Sequence, residues 1–264
     1  ILTSGTYPRW FQATVLVPPG SDKTFLENIF NDLWKAANEL SIEIIGGHTE
    51  ITASVTQPVV IGSMFGEISK DKIILSGKGK PGDVLVITKG IAIEGTALIA
   101  LEKDKDLVNK GLDPKIIDSC KKYLHEPGIS IYKEVKLIME SGIKPHTMHD
   151  PTEGGLNMGC VELASVSNCG CVIDSRKIPI IEHCTLLCSM YGINPMRLIT
   201  SGTLICALAP QDANVLVKLL KSNGIEASEI GYLTEKEKGF QMINEHGDLV
   251  SLPYGETDEI LKIF

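Results

Sequence analysis

The sequence predicts an α+β protein in two domains, and three observations predict it. Strand-like and helix-like runs alternate along 264 residues without the even rhythm of a doubly wound sheet. Residues 70–82, with four Lys, three Gly and one Pro, read as a linker and set a boundary near Lys80. The composition, 43% hydrophobic and 22% charged, is that of a globular chain with enough apolar residues for a core. Domains are therefore expected over 1–80 and 81–264.

Each element has a local reason. Residues 12–17 are apolar and β-branched and end at Pro18-Pro19-Gly20, which marks a strand and its stop. Ser21 or Asp22 caps a helix to about Leu40, because Phe25, Ile29, Leu33, Ala36, Ala37 and Leu40 recur at helical spacing. Residues 42–45 form a short strand that stops at Gly46-Gly47, and 58–68 a further strand broken by Gly62 and Gly66. Beyond the linker, 83–88 is a buried-type strand, followed by a glycine-punctuated turn and a helix over 93–101. Helices are expected at 114–124, 129–141, 152–165 and 181–191, and strands at 171–174 and 203–209. Pro210-Gln211-Asp212 opens a helix to Asn223. Strands at 229–233, 239–243 and 248–252 follow, the last two joined at His246-Gly247.

Charge and cysteine usage narrow the function. Lys plus Arg number 25 against 33 for Asp plus Glu, a net charge of −8, which argues against sequence-independent nucleic-acid binding. Any polyphosphate ligand then needs a metal ion or a local nest of amides. The longest apolar runs, 84–87 and 204–209, are too short to span a bilayer. Seven cysteines, an odd number with no C-x-x-C pair, read as reduced thiols in a cytoplasmic protein. The alternative is a metal site at Cys169-Gly170-Cys171, or at Cys184 and Cys188 beside His183. His146 and His149, three apart, either share a helical face as zinc ligands or belong to a loop. The first residues look like the middle of a domain, so a fragment or a partly ordered chain is expected.

Three turns combine glycine with polar side chains. In Gly46-Gly47-His48-Thr49-Glu50 a strand ends in paired glycines; Glu50 offers a hard oxygen for magnesium and His48 a further ligand, or the segment is a tight turn. In Thr88-Lys89-Gly90-Ile91-Ala92-Ile93-Glu94-Gly95-Thr96 a helix follows a glycine turn, an anion site to which Lys89 adds charge, or a closely packed connection. In His149-Asp150-Pro151-Thr152-Glu153-Gly154-Gly155-Leu156 the proline holds Asp150 extended, Asp150 or Thr152 caps the helix, and Gly154 and Gly155 strip side chains from its first turn. Exposed amides beside a carboxylate would suit an anion with its cation; the alternative is an N-cap with tight packing.

The order of these turns, with Lys80-Pro81-Gly82-Asp83 between the first two and Ser201-Gly202-Thr203-Leu204 after the third, resembles the AIR synthase (PurM-like) superfamily, nearest its hydrogenase-maturation HypE branch. The resemblance runs from Ile1 to about Leu233. It implies a PurM-like fold with an incomplete N-terminal domain and a sandwich-like C-terminal α/β domain. It also implies ATP and Mg2+ as cofactors, and a homodimer formed through the N-terminal sheets. The implied chemistry is activation of a substrate oxygen by phosphoryl transfer. Matched residue by residue, Gly46, Gly47 and Thr49 would bind nucleotide, with Glu50 and His48 toward the metal. Lys89, Thr152, Gly154 and Gly155 would bind cofactor, and Asp150 would be catalytic. Many members carry an acidic residue at His48, and metal-binding aspartates precede the segment that starts at Ile1. HypE itself ends in a reactive cysteine, whereas no cysteine follows Cys206 here. Two other readings stay open: a non-catalytic assembly partner working with a maturation factor, and a kinase or amide-forming enzyme of purine or thiamine type.

Overall fold

The computed structural model describes every residue except Glu256. The chain divides into two compact units, Ile1–Ile73 and Ile74–Phe264.

In the first unit, strands β1 (Trp10–Val17), β2 (Glu43–Ile51) and β3 (Val59–Phe65) form a sheet in the order β2-β1-β3. Helix α1 (Lys23–Glu39) connects β1 to β2, and its N-cap Asp22 accepts from Thr24 N at 3.2 Å. A helical crossover is what a parallel neighbour requires, and β1 and β2 are parallel. Ala13, Val15 and Val17 of β1 are buried, whereas Trp10, Leu16, Ile61 and Phe65 on the alternate register are half-buried or exposed. Along β1 one face is therefore buried, and the other is open and mixes these apolar side chains with polar ones.

The strand expected to stop at Gly46-Gly47 continues through them to Ile51. Both glycines take positive φ, +155° and +156°, where the register with β1 shifts between Phe11 and Gln12. A Cβ on Gly47 would lie 2.1 Å from Ala13 O. The pair thus serves a bulge that brings two backbones close, not a turn.

The second unit carries β4 (Val84–Thr88), β5 (Thr147–His149), β6 (Cys169–Asp174), β7 (Ile205–Leu208), β8 (Ala227–Glu235), β9 (Phe240–Ile243) and β10 (Leu249–Ser251). They form one sheet in the order β10-β9-β6-β8-β4-β7-β5, antiparallel except for the β6/β9 pair. Helices α2 (Ile93–Glu102), α3 (Asp104–Asn109), α4 (Pro114–Lys121), α5 (Tyr132–Ser141), α6 (Gly155–Val166), α7 (Cys184–Tyr191) and α8 (Pro210–Ser222) surround it. Leu156, Cys160, Leu163 and Ala164 of α6 join Leu85, Ile87, Cys171, Ile173, Ile205 and Ile230 in one core. A second core lies among α2, α4 and α7, with Ile93, Ala97, Ile117, Cys184 and Leu187.

All seven cysteines are buried and free. Cys184 and Cys188 lie on successive turns of α7 with sulfurs 3.6 Å apart, and no group of three metal-capable side chains occurs among the described residues. His146 and His149 do not share a helical face: His149 ends β5 and His146 precedes it, and each pairs with a carboxylate, Glu162 and Asp83 respectively, at 2.8 Å.

Candidate functional site

The first predicted cluster lies along one strand. By register His48 pairs with Thr14 and Glu50 with Leu16, which puts both on the open face of the sheet. Their side chains are exposed, with Nε2 of His48 3.5 Å from Oε2 of Glu50. Thr49 pairs with the buried Val15 and so belongs to the other face. The stretch from Gly46 to Glu50 is split by the pleat; His48 and Glu50 are the pair of polar groups it brings together.

The second cluster is built differently from expectation. Lys89 and Ala92 both take left-handed φ, +61°, at the end of β4. The turn is knitted into the interior: Lys89 N donates to Glu226 O at 2.6 Å, Gly90 N to Thr88 O at 2.7 Å and Ile91 N to Pro179 O at 3.0 Å. The Lys89 side chain, 7% exposed, donates to Gly128 O (3.0 Å) and Ser130 O (2.8 Å) and meets Glu134 Oε1 at 3.0 Å. Three partners fill the three donors of an ammonium, so Lys89 has none left for a phosphate. Burial pushes its pKa down, opposed by the Glu134 carboxylate.

The third cluster holds two exposed carboxylates without partners among the described residues, Asp150 and Glu153. Asp150 follows β5, precedes Pro151 and is exposed, and among the described residues its side chain makes no hydrogen bond or ion pair. Thr152 Oγ1 lies 3.4 Å from Asp150 O, and the Thr152 carbonyl accepts from Gly155 N (3.3 Å) and Thr200 N (3.2 Å). Neither Asp150 nor Thr152 caps α6. Gly154 is the N-cap, with φ +75°, and its N–H donates to Asp258 Oδ2 at 2.7 Å. The anion position at this helix start is occupied by the protein's own carboxylate, which also accepts from Ile199 N (3.2 Å) and Ile260 N (2.8 Å). Gly155 is required by packing: with φ +65°, a Cβ there would lie 2.7 Å from Met196 O and 2.8 Å from Leu198 O. Gly154 and Gly155 thus supply shape to the turn, while their amides are used internally.

Thr200, which the sequence reading passed over, joins the second and third clusters. Its hydroxyl accepts from Ala92 N at 2.7 Å, and its N–H reaches Thr152 O. Thr203 continues the network, 3.0 Å from the Thr200 hydroxyl and donating to Gly90 O at 2.6 Å. Beside it, in the first turn of α2, Oε2 of Glu94 is buried without a partner. Asp258 lies near the C-terminal end of the sequence and carried no local motif; only its Asx-type spacing to Ile260 hinted at a cap.

Two sheets in two compact units, with two turns of the second joined through Thr200, define a two-unit α+β protein. The chain belongs to the AIR synthase related protein family: its N-terminal domain matches residues 1–68 and its C-terminal domain residues 80–243. Among known proteins it is similar to a putative hydrogenase expression/formation protein of Methanocaldococcus jannaschii, 26% identical over 96% of this chain and 72% of the relative. It is also similar to the carbamoyl dehydratase HypE of Rhizobium leguminosarum bv. viciae, 27% identical over 94% of this chain and 69% of the relative. Among solved structures, the hydrogenase maturation protein HypE in complex with ATP shares the fold, with a TM-score of 0.82, 22% identity and coverage of 99% of this chain and 77% of that one.

Proposed function

We propose that this protein is an ATP-using enzyme of the HypE type, which activates a substrate oxygen by phosphoryl transfer in hydrogenase maturation. The observation that carries the reading is the exposed, unpaired Asp150 carboxylate, with the likewise unpaired Glu153, on a turn whose Gly154 and Gly155 amides are used within the protein. The relatives named above match both halves of the chain, one named a hydrogenase expression/formation protein and the other a carbamoyl dehydratase HypE.

The residues fit a metal-chelated nucleotide. Hard carboxylate oxygens suit Mg2+, and Asp150 is an exposed carboxylate with no hydrogen-bonded donor. The orphaned Glu94 oxygen in the first turn of α2 also fits a cation or a donor group. Bound ATP would supply the transferable γ-phosphoryl group. Asp150 orients the reacting groups or holds the metal; Pro151 fixes its backbone, and Thr152 and Thr200 fix the turn behind it. Because the chain has a net charge of −8, the cation and not the surface must offset the phosphate charge. Catalysis then rests on positioning and charge neutralisation.

The open face of the first unit, with Trp10, Leu16, Ile61 and Phe65, supports homodimer formation through the N-terminal sheets. A maturation factor is the second partner, as a HypE has been solved in complex with HypF. No helix among the described residues is long and apolar enough to cross a membrane, in keeping with a cytoplasmic place. Replacing Asp150 with Ala in the full-length protein lowers ATP turnover at least ~100-fold, the scale of one lost electrostatic group in a transition state. Unchanged turnover would remove Asp150 from the mechanism.

A further inference from the structure

The Lys89 and Glu134 pair is the most deeply buried ion pair among the described residues, with side chains 7% and 2% exposed. Nothing in phosphate binding accounts for it. The ammonium is surrounded by three oxygens from one stretch of chain, the carbonyls of Gly128 and Ser130 and Oε1 of Glu134 in the first turn of α5. Two backbone carbonyls and a carboxylate make the donor set of a small monovalent cation, here delivered on a tether. The other carboxylate oxygen, Glu134 Oε2, is buried without a partner. Burying a charged pair so incompletely satisfied is costly, and apolar residues of the same size would hold the fold at least as well.

What the ammonium fixes is conformational. It holds the 128–130 segment to Lys89, whose backbone is left-handed at +61°. From there a continuous path leads to the Asp150 turn. Ala92, also left-handed, donates to the Thr200 hydroxyl at 2.7 Å, Thr203 closes on Gly90 O at 2.6 Å, and Thr200 N donates to Thr152 O at 3.2 Å. We propose that Lys89 is a positioning residue: its ammonium acts as a tethered internal cation that sets the 88–92 turn and, through Thr200, the turn that carries Asp150. This rests on the function proposed above for its catalytic meaning, but its structural content stands apart and is tested apart.

Lys89→Gly suits the test, because glycine adopts the left-handed conformation of this position freely and the substitution adds no backbone strain. Native-state amide exchange at Ala92 and Thr200 is the readout. It should rise about tenfold or more in the variant, with β6 and α8 unchanged. Added n-butylammonium, which replaces the deleted side chain, should restore protection, and equal sodium chloride should not. The double variant Lys89→Met with Glu134→Leu guards against misfolding. It should keep a melting temperature near that of the wild type, yet leave the Ala92 and Thr200 amides fast-exchanging. Wild-type protection at those amides in either variant would overturn the proposal, and so would rescue by sodium as effective as by the amine. In the full-length protein the double variant should also lose about tenfold in kcat/KM for ATP. If the wild type itself turns over no ATP, the proposed function fails while the exchange result still judges the role of Lys89.

Discussion

Removing Asp258 tests how the α6 turn is held. Its carboxylate, buried at 4% exposure, accepts from Gly154 N at 2.7 Å, Ile260 N at 2.8 Å and Ile199 N at 3.2 Å. In Asp258→Ala the Gly154 donor is left buried, at a cost of ~1–3 kcal/mol, and the other two lose about 0.5–1.5 kcal/mol each. The loss sums to roughly 3–4 kcal/mol, or about 10 °C in melting temperature for a unit of this size. Both tryptophans, Trp10 and Trp34, lie in the first unit, so they do not report on this site directly. Urea unfolding followed by far-ultraviolet circular dichroism should show the shift, while tryptophan fluorescence of the same samples changes little. Sulfate should restore part of the loss, because the helix start is then open to an outside anion. A change below about 1 kcal/mol, or equal shifts by both probes, would refute the view that Asp258 is the internal anion of this helix.

Other perturbations follow from the same geometry. Gly47→Ala should cost about 3 kcal/mol or more and shift the tryptophan-detected transition, because its Cβ would lie 2.1 Å from Ala13 O. Gly46→Ala, with open space at the Cβ but φ +155°, should cost only about 1 kcal/mol, and equal losses would contradict the close-approach argument. Asp174 is bound by Arg176 through Nε to Oδ1 (2.9 Å) and Nη2 to Oδ2 (2.8 Å), which holds its pKa down from 3.8 to about 2. A depressed carboxylate stabilises the fold above its unfolded pKa, and that stability is lost as pH falls through about 2. The ceiling is about 2 kcal/mol at 1.36 per unit, and roughly 1 after screening at the half-exposed Arg176. The difference between wild type and Arg176→Met in urea midpoint should therefore be present at pH 5 and shrink toward pH 2. A difference that does not vary with pH would count against it.

The class of fold was legible because periodicity and punctuation carry it. Asp22 capping, the helix from Lys23, and the Asn244 to Asp248 hairpin around His246-Gly247 all arise from local chemistry. The elements misread were those decided by distant partners. The β2 strand runs through two glycines because β1 pairs with them and Ala13 lies against Gly47, and β5, three residues long, exists because β7 pairs with it. Asp150 stood out in the sequence through its motif. Its surroundings did not: Asp258 caps the helix from 104 positions away, Thr200 reaches Ala92 across 108, and Lys89 reaches its carbonyls across 39 and 41. A glycine-rich helix start looks the same in sequence whether its amides meet a ligand or a buried side chain. Long-range hydrogen bonds decide between the two.

The central point is that a magnesium-chelated nucleotide binds at the turn where the Asp150 carboxylate stands free. Calorimetric titration of the full-length protein with ATP, with and without Mg2+, tests it most directly when joined to amide exchange of the bound state. The expected result is binding that requires Mg2+, with new protection at residues 149–155 that is lost in Asp150→Ala. Absence of binding, or protection confined to other segments, would contradict it.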